Sequence, residues 1–389
     1  MRILIPGQVE QIIEQLHDHG YEAFAVGGCV RDTLLGRRPE DWDITTSARP
    51  GQVKALFPRT IDTGIRHGTV TVMLGTSSYE VTTYRIDGEY EDGRHPRQVE
   101  FTADLREDLR RRDFTINAMA YSQQTGIIDP FGGMADLVQG IIRCVGSADK
   151  RFDEDALRIL RAVRFSAQLG FAVEEDTWNG IIKAAPNLAK ISKERVQAEL
   201  GKLLLSPNPE QIAQVYETGM AAYISPAFGR LPCRGICIPD TLPEKKYIRW
   251  AAFLRPAGAG QAVRILKDLK MDNDTIQKVQ TLVSWSGIPV AAEPAAVRKA
   301  MSQMEAEVWD AVCALNEYNP AILKLTGIIR KNGDCLTLKD LVVGGRDLMA
   351  AGAAPGRQIG GTLNRMLDWV LEHPEDNKKD ILLRKFPLE

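Results

Sequence analysis

Val9, Ile12, Ile13 and Leu16 recur at helical spacing and Gly20 stops the run, so the chain opens on an amphipathic helix. Ala23 to Val26 is a short apolar stretch that reads as a strand, closed by the paired glycines Gly27 and Gly28. A short helix follows and ends at Gly36. Asp41, Trp42 and Asp43 begin a second strand, where alternation would put both aspartates on one face and Trp42 in the core. Ser47 is placed to cap a helix carrying Val53, Leu56 and Phe57. Val70, Val72 and Leu74 alternate as a strand, Gly75 to Ser78 turns the chain, and Tyr79 to Tyr84 returns it. These elements make a small sheet with flanking helices.

Further along, the period is helical. Asp153 to Phe171 is expected as one helix, with Leu157, Leu160, Val163 and Leu169 on its apolar side. Arg158, Arg161 and Arg164 recur every three residues and fan across its polar face, with Asp155 an i,i+3 neighbour of Arg158. Ser192 opens another helix, and the Pro- and Gly-rich residues 221–245 read as a loop or linker. Val263, Leu266 and Leu269 mark one later helix, Ile276, Val279 and Leu282 a second, and Met301, Met304, Val308 and Val312 a third.

Composition narrows the class. The 389 residues suggest two to four domains, and 44% hydrophobic with 26% charged is an ordinary globular balance. No apolar run reaches the length of a membrane helix, and Met1 to Pro6 is too short for a signal peptide. Of six cysteines only Cys233 and Cys237 are close together, and no second pair completes a zinc site. Reduced thiols in a cytoplasmic protein are therefore expected. A net charge of −2 means that any nucleic-acid contact must use a local basic surface.

The chemistry concentrates between Val26 and Thr46. Paired glycines let a backbone approach a phosphate closely, and two carboxylates on one strand face suit a hard divalent cation. Gly-Gly alone is usually a turn, and Asp-x-Asp is often a solvated strand end. The order strand, Gly-Gly, Arg31, short helix, Asp41-x-Asp43 points to phosphoryl or nucleotidyl transfer.

Gly27-Gly28-x-Val30-Arg31-Asp32-x-Leu34-Leu35-Gly36-Arg37 followed by Asp41-x-Asp43 resembles the head signature of the class II tRNA nucleotidyltransferase and poly(A) polymerase family, within the polymerase-beta superfamily. Arg111-Arg112-Asp113-Phe114-Thr115-x-Asn117-Ala118 resembles its second motif, with Arg112 aligned as a phosphate ligand. Glu154-Asp155-x-x-Arg158 resembles its base-selecting motif, and the helix from Ser192 its neck. Arg85 to Pro96 is similar to its flexible loop, whose presence argues against a subtype that adds only CC. Gly344-Gly-Arg-Asp-Leu348 echoes the head signature without the aspartate pair and reads as structural. Glu80 is a third carboxylate within reach by pattern, an exposed strand residue being as good a reading.

The resemblance implies an α/β head at 1–143, a polymerase-beta-like nucleotidyltransferase sheet with flanking helices, then an all-α neck at 144–205, body at 206–330 and tail at 331–389. It implies template-independent addition and repair of the 3′-terminal CCA of tRNA from CTP and ATP. Asp41 and Asp43 would hold two magnesium ions for an in-line displacement releasing pyrophosphate. Gly28, Arg31, Arg112, Arg161 and Arg164 would line the triphosphate. Asp155 would accept from the amino group that C and A share, while Arg158 donates to the adjacent ring nitrogen; U and G present the opposite pattern. An A-adding enzyme or poly(A) polymerase of the same family stays open, as does a non-catalytic RNA-binding protein on this scaffold. The oligomeric state, a homodimer included, is not legible.

Overall fold

Helix α1 (Gly7–Asp18) buries Val9, Ile12, Ile13 and Leu16, the four positions its period marks out. A computed structural model describes residues 3–88, 99–232, 238–239, 241–354 and 356–387 of the chain. The next strand, β1 (Ala23–Val26), is buried along its whole length. Helix α2 (Gly28–Leu34) leads through Gly36, at φ +70°, to β2 (Asp43–Thr46), α3 (Pro50–Leu56) and β3 (Thr60–Gly64). Strands β4 (Thr69–Leu74) and β5 (Ser77–Thr83) form the expected hairpin, and the short β6 (Arg85–Asp87) pairs with β7 (Val99–Phe101). Helix α4 (Leu105–Arg110) precedes β8 (Ala120–Ser122) and β9 (Gly126–Ile128).

Seven strands form one mixed sheet in the order β3-β4-β5-β2-β1-β8-β9. β1 runs antiparallel to both neighbours, whereas β2 and β5 are parallel, with Asp43 opposite Glu80. Phe24, Val26, Tyr84, Leu109, Ala118, Ala120 and Val145 form a core cluster against this sheet. Helices α5 (Gly133–Gln139), α6 (Ala148–Glu154), α7 (Leu157–Leu169), α8 (Glu175–Ala184) and α9 (Lys193–Leu204) follow.

Several expectations are corrected. Ser47 does not cap α3: Pro50 needs no amide partner and sets the first helical position, leaving Arg49 at the cap. The Ser47 hydroxyl instead accepts from the Glu22 N–H at 2.9 Å. Trp42 is half-buried rather than core, because strand pairing begins only at Asp43. The helix expected from Asp153 to Phe171 is broken at Asp155, which is extended (φ −144°, ψ 103°) and accepts from the Leu157 N–H at 3.0 Å. Such short-range bonds draw aspartate to helix starts. Arg85 to Asp87, expected in a loop, is strand β6; residues 89–96 of that loop lie outside the described residues. Cys233 and Cys237 lie outside them too.

The chain divides into two units, Met1–Ile236 with Asp268–Met271, and Cys237–Lys267 with Asp272–Glu389. The second is helical among the described residues. Met301 ends the helix Pro294–Met301 and Val308 belongs to Ala306–Leu315, so the third helix expected there is two helices with Met304 in their connection. Arg298, 7% exposed, donates to the Asp334 carboxylate at 3.0 Å and the Leu371 carbonyl at 2.7 Å, joining its own helix to the helix Arg357–Glu372 and to the segment that follows the helix Pro320–Asn332. Asp347 accepts from the Gly344 N–H at 2.9 Å, so the glycine pair there serves a helix start. No helix among the described residues is long and apolar enough to cross a membrane.

Candidate active site

A cleft of about 660 Å³ in the first unit is lined by Gly28, Arg31, Asp41, Asp43, Arg112, Arg161 and Arg164, seven of the nine residues singled out from sequence. Asp155 and Arg158 are not among its lining residues.

The end of β1 shapes one wall. Gly27 has φ +84° and donates its N–H to the Met119 carbonyl at 3.1 Å. The backbone angle calls for glycine, and a Cβ there, 2.9 Å from Arg112 Nη1, would displace the guanidinium beside it.

Each of the four arginines Arg31, Arg112, Arg161 and Arg164 faces a carboxylate. Arg31 donates from Nε and Nη2 to Asp32, both at 2.9 Å. Arg112 lies 3.6 Å from Asp108, and Arg161 donates twice to Asp113 Oδ2, at 2.8 and 2.6 Å. Arg164 pairs with Glu199 at 2.9 Å. Three of these guanidiniums also surround one ring: Arg31, Arg161 and Arg164 lie 4.9, 5.3 and 4.1 Å from the Phe165 centroid. Carboxylates and aromatic face together hold like charges side by side. Burial pushes the Asp113 carboxyl up, but Arg161 and the Asn117 amide more than reverse this and hold it well below the usual range. Asp108 shows the same reversal through Arg111 and Arg112. Burial pulls Arg164 down to about 10 against the opposing pull of Glu199.

Asp41 and Asp43 sit at the start of β2, open to solvent. Crowding by protein pushes the Asp43 carboxyl up; Arg112 opposes the rise and Asp41 adds to it. Glu80, the register partner of Asp43, is pushed up by burial and by both aspartates. Pattern reading found Glu80 only as an open option, because the β2–β5 pairing that sets it beside Asp43 leaves no local mark. Among the described residues no three His, Cys, Asp or Glu side chains form a ready-made metal cage. Asp41 and Asp43 could hold a hard divalent cation, which takes one or two carboxylates and completes its shell with other oxygen ligands.

Asp155 and Arg158 stand at the N-terminal end of α7. Asp155 Oδ2 accepts from Arg195 at 2.8 Å. Arg158 gives Nη1 to Glu154 (2.8 Å) and the Arg151 carbonyl (3.2 Å), and Nη2 to the Arg111 carbonyl (2.9 Å). Among the described residues its Nε–H and one Nη2–H carry no further bond, and the Asp155 oxygens keep lone pairs, so both retain the donor and acceptor that a base edge needs. Arg161 and Arg164 follow at about 4.5 and 9 Å along the axis, given a rise of about 1.5 Å per residue. Pattern reading missed Asn117 and the carboxylate partners Asp113 and Glu199, all within quoted or adjacent motifs.

Residues 23–143 match the family model "Poly A polymerase head domain", residues 170–230 "Probable RNA and SrmB-binding site of polymerase A", and residues 243–386 "tRNA nucleotidyltransferase domain 2". A CCA-adding enzyme of Geobacillus kaustophilus is 40% identical over 385 residues, covering 95% of this chain and 93% of the relative. The chain belongs to the CCA-adding enzyme family. The crystal structure of the Bacillus stearothermophilus CCA-adding enzyme in complex with CTP superposes with a TM-score of 0.85 at 35% identity, covering 98% of each chain. A Thermotoga maritima CCA-adding enzyme complexed with tRNA, at 21% identity and a TM-score of 0.66, shares the fold over 99% of this chain and 98% of the other.

Proposed function

We propose that this CCA-adding family member adds and repairs the 3′-terminal CCA of tRNA, using CTP and ATP without a nucleic-acid template. The observation that carries the reading is the single cleft that joins the Asp41/Asp43 pair to four arginines beside Gly27 and Gly28. The names of the relatives, one solved with CTP and one with tRNA, support the substrates.

In this reading Gly28 and the guanidiniums of Arg31, Arg112, Arg161 and Arg164 bind and orient the triphosphate, and their charge offsets that of the departing pyrophosphate. Asp41 and Asp43 would hold magnesium, which when bound lowers the pKa of the tRNA 3′-hydroxyl and steadies the leaving group. Asp155 and Arg158 read the base: the carboxylate accepts from the amino group of C or A, the guanidinium donates to the neighbouring ring nitrogen. With U or G, both contacts face a like group, at about 1–3 kcal/mol for each unpaired partner. Head, neck, body and tail at 1–143, 144–205, 206–330 and 331–389 divide these tasks, with the tail on the tRNA elbow. Asp41→Ala tests the assignment: incorporation is lost while CTP still binds, and a fully active variant overturns it.

A further inference from the structure

Asn117 lies between two of the phosphate arginines. It ends the short turn Thr115–Asn117 on the wall of the cleft and is 6% exposed. Its Oδ1 accepts from Arg31 Nη1 at 2.6 Å, and its Nδ2 donates to Asp113 Oδ1 at 3.0 Å. The other Asp113 oxygen takes both bonds from Arg161. The amide has one workable orientation, because reversed it would set N–H against guanidinium and oxygen against carboxylate. One side chain, with one acceptor and one donor, thereby links an arginine on α2 to an arginine on α7.

The donor count gives this link a purpose. Arg31 has five N–H groups; Asp32 takes two and Asn117 one. One N–H remains on each Nη among the described residues, two donors for phosphate oxygens. Among the described residues Arg161 keeps its whole Nη1 beyond the two bonds to Asp113. An aspartate at position 117 would keep the acceptor for Arg31 but set a second carboxylate against Asp113. A leucine would fill the space and make neither bond.

We propose that Asn117 is a positioning residue for the triphosphate, fixing Arg31 and Arg161 at one spacing so that both meet the same nucleotide. The inference rests on the nucleotidyl-transfer reading. The triphosphate is common to CTP and ATP, so loss of the link weakens both alike and leaves the choice of base unchanged.

The test compares Asn117→Leu, Asn117→Asp and the double variant that combines Asn117→Asp with Asp113→Asn. CTP and ATP binding is measured without RNA, and KM and kcat with tRNA, on protein whose melting shows it folded. Both single variants are expected to weaken CTP and ATP by one shared factor of about tenfold, with kcat changed far less. In the double variant amide and carboxylate change places. The amide now at position 113 can donate to the carboxylate at position 117, restoring that bond in the reverse direction at the loss of the Phe114 N–H bond that Asp113 Oδ1 accepts at 2.8 Å, and nucleotide binding recovers in part relative to Asn117→Asp. A role in folding alone gives neither the KM-against-kcat split nor that recovery. Unchanged nucleotide binding in the folded single variants, or a double variant no tighter than Asn117→Asp, overturns the inference. A wild-type protein that binds neither CTP nor ATP overturns the transfer reading instead.

Discussion

Asp155 and Arg195 form an ion pair at 2.8 Å between the start of α7 and the first turn of α9. The second Asp155 oxygen is held by the Leu157 N–H, so the carboxylate plane is fixed before any base arrives. Arg158 is held as firmly, by Glu154 and two backbone carbonyls. Arg158→Ala is expected to lose about tenfold or more in discrimination of CTP and ATP from UTP and GTP, the value of one buried donor. Arg195→Ala should erode discrimination less, because it frees the Asp155 plane without removing its acceptors. Incorporation from mixed nucleotides reads both.

Asp43 carries a stability cost with a definite pH signature. Its folded value lies above the ordinary 3.8, so the folded protein holds this proton more tightly than the unfolded chain does. The penalty is absent below the unfolded value, grows as pH rises through the folded value, and is complete at neutral pH. Asp43→Asn, free of that charge, should therefore melt higher than wild type at neutral pH without divalent metal. The gain should fade on acidification toward 3.8. The same variant should be inactive. Glu80→Gln should stabilise in the same direction, since its carboxyl is also pushed up.

Two glycines separate function from stability. At Gly27 a Cβ meets the flexible end of Arg112 at 2.9 Å and the backbone stands at φ +84°. Gly27→Ala should raise the KM for CTP and ATP and cost about 1 kcal/mol or more of stability.

At Gly133 a Cβ would lie 2.3 Å from the Thr115 carbonyl oxygen and 2.9 Å from its carbon, atoms of a backbone that cannot swing away. Gly133→Ala should cost about 2–3 kcal/mol or more of stability, measured by denaturant melting.

Those two sites also show what a sequence carries. The head signature is local: a short buried strand, a glycine at positive φ, a short helix and two aspartates lie within about twenty residues, and each leaves a mark on composition. The arginines of α7 were legible from their spacing, but not their surroundings. Arg161 meets Asp113 from 48 residues away, and Asp155 meets Arg195 across 40. Nothing in local pattern encodes such pairings. Glu80 faces Asp43 only because β2 and β5 run parallel, a consequence of topology. Asp155 read as helical because aspartate is tolerated in a first turn; its bond to the Leu157 N–H instead starts α7 afresh. Ser47 lost its cap to the proline three residues on.

Extension of three tRNA substrates, ending before CCA, after C and after CC, with CTP, ATP or both, separates full CCA addition from its alternatives. The single protein should carry the bare end to full CCA when given both nucleotides, stop after CC with CTP alone, and add one A to the CC end. Extension of the CC-ended tRNA only would contradict full CCA addition and make this an A-adding enzyme. Binding of tRNA with no incorporation at any end, magnesium being present, would contradict the transfer chemistry itself.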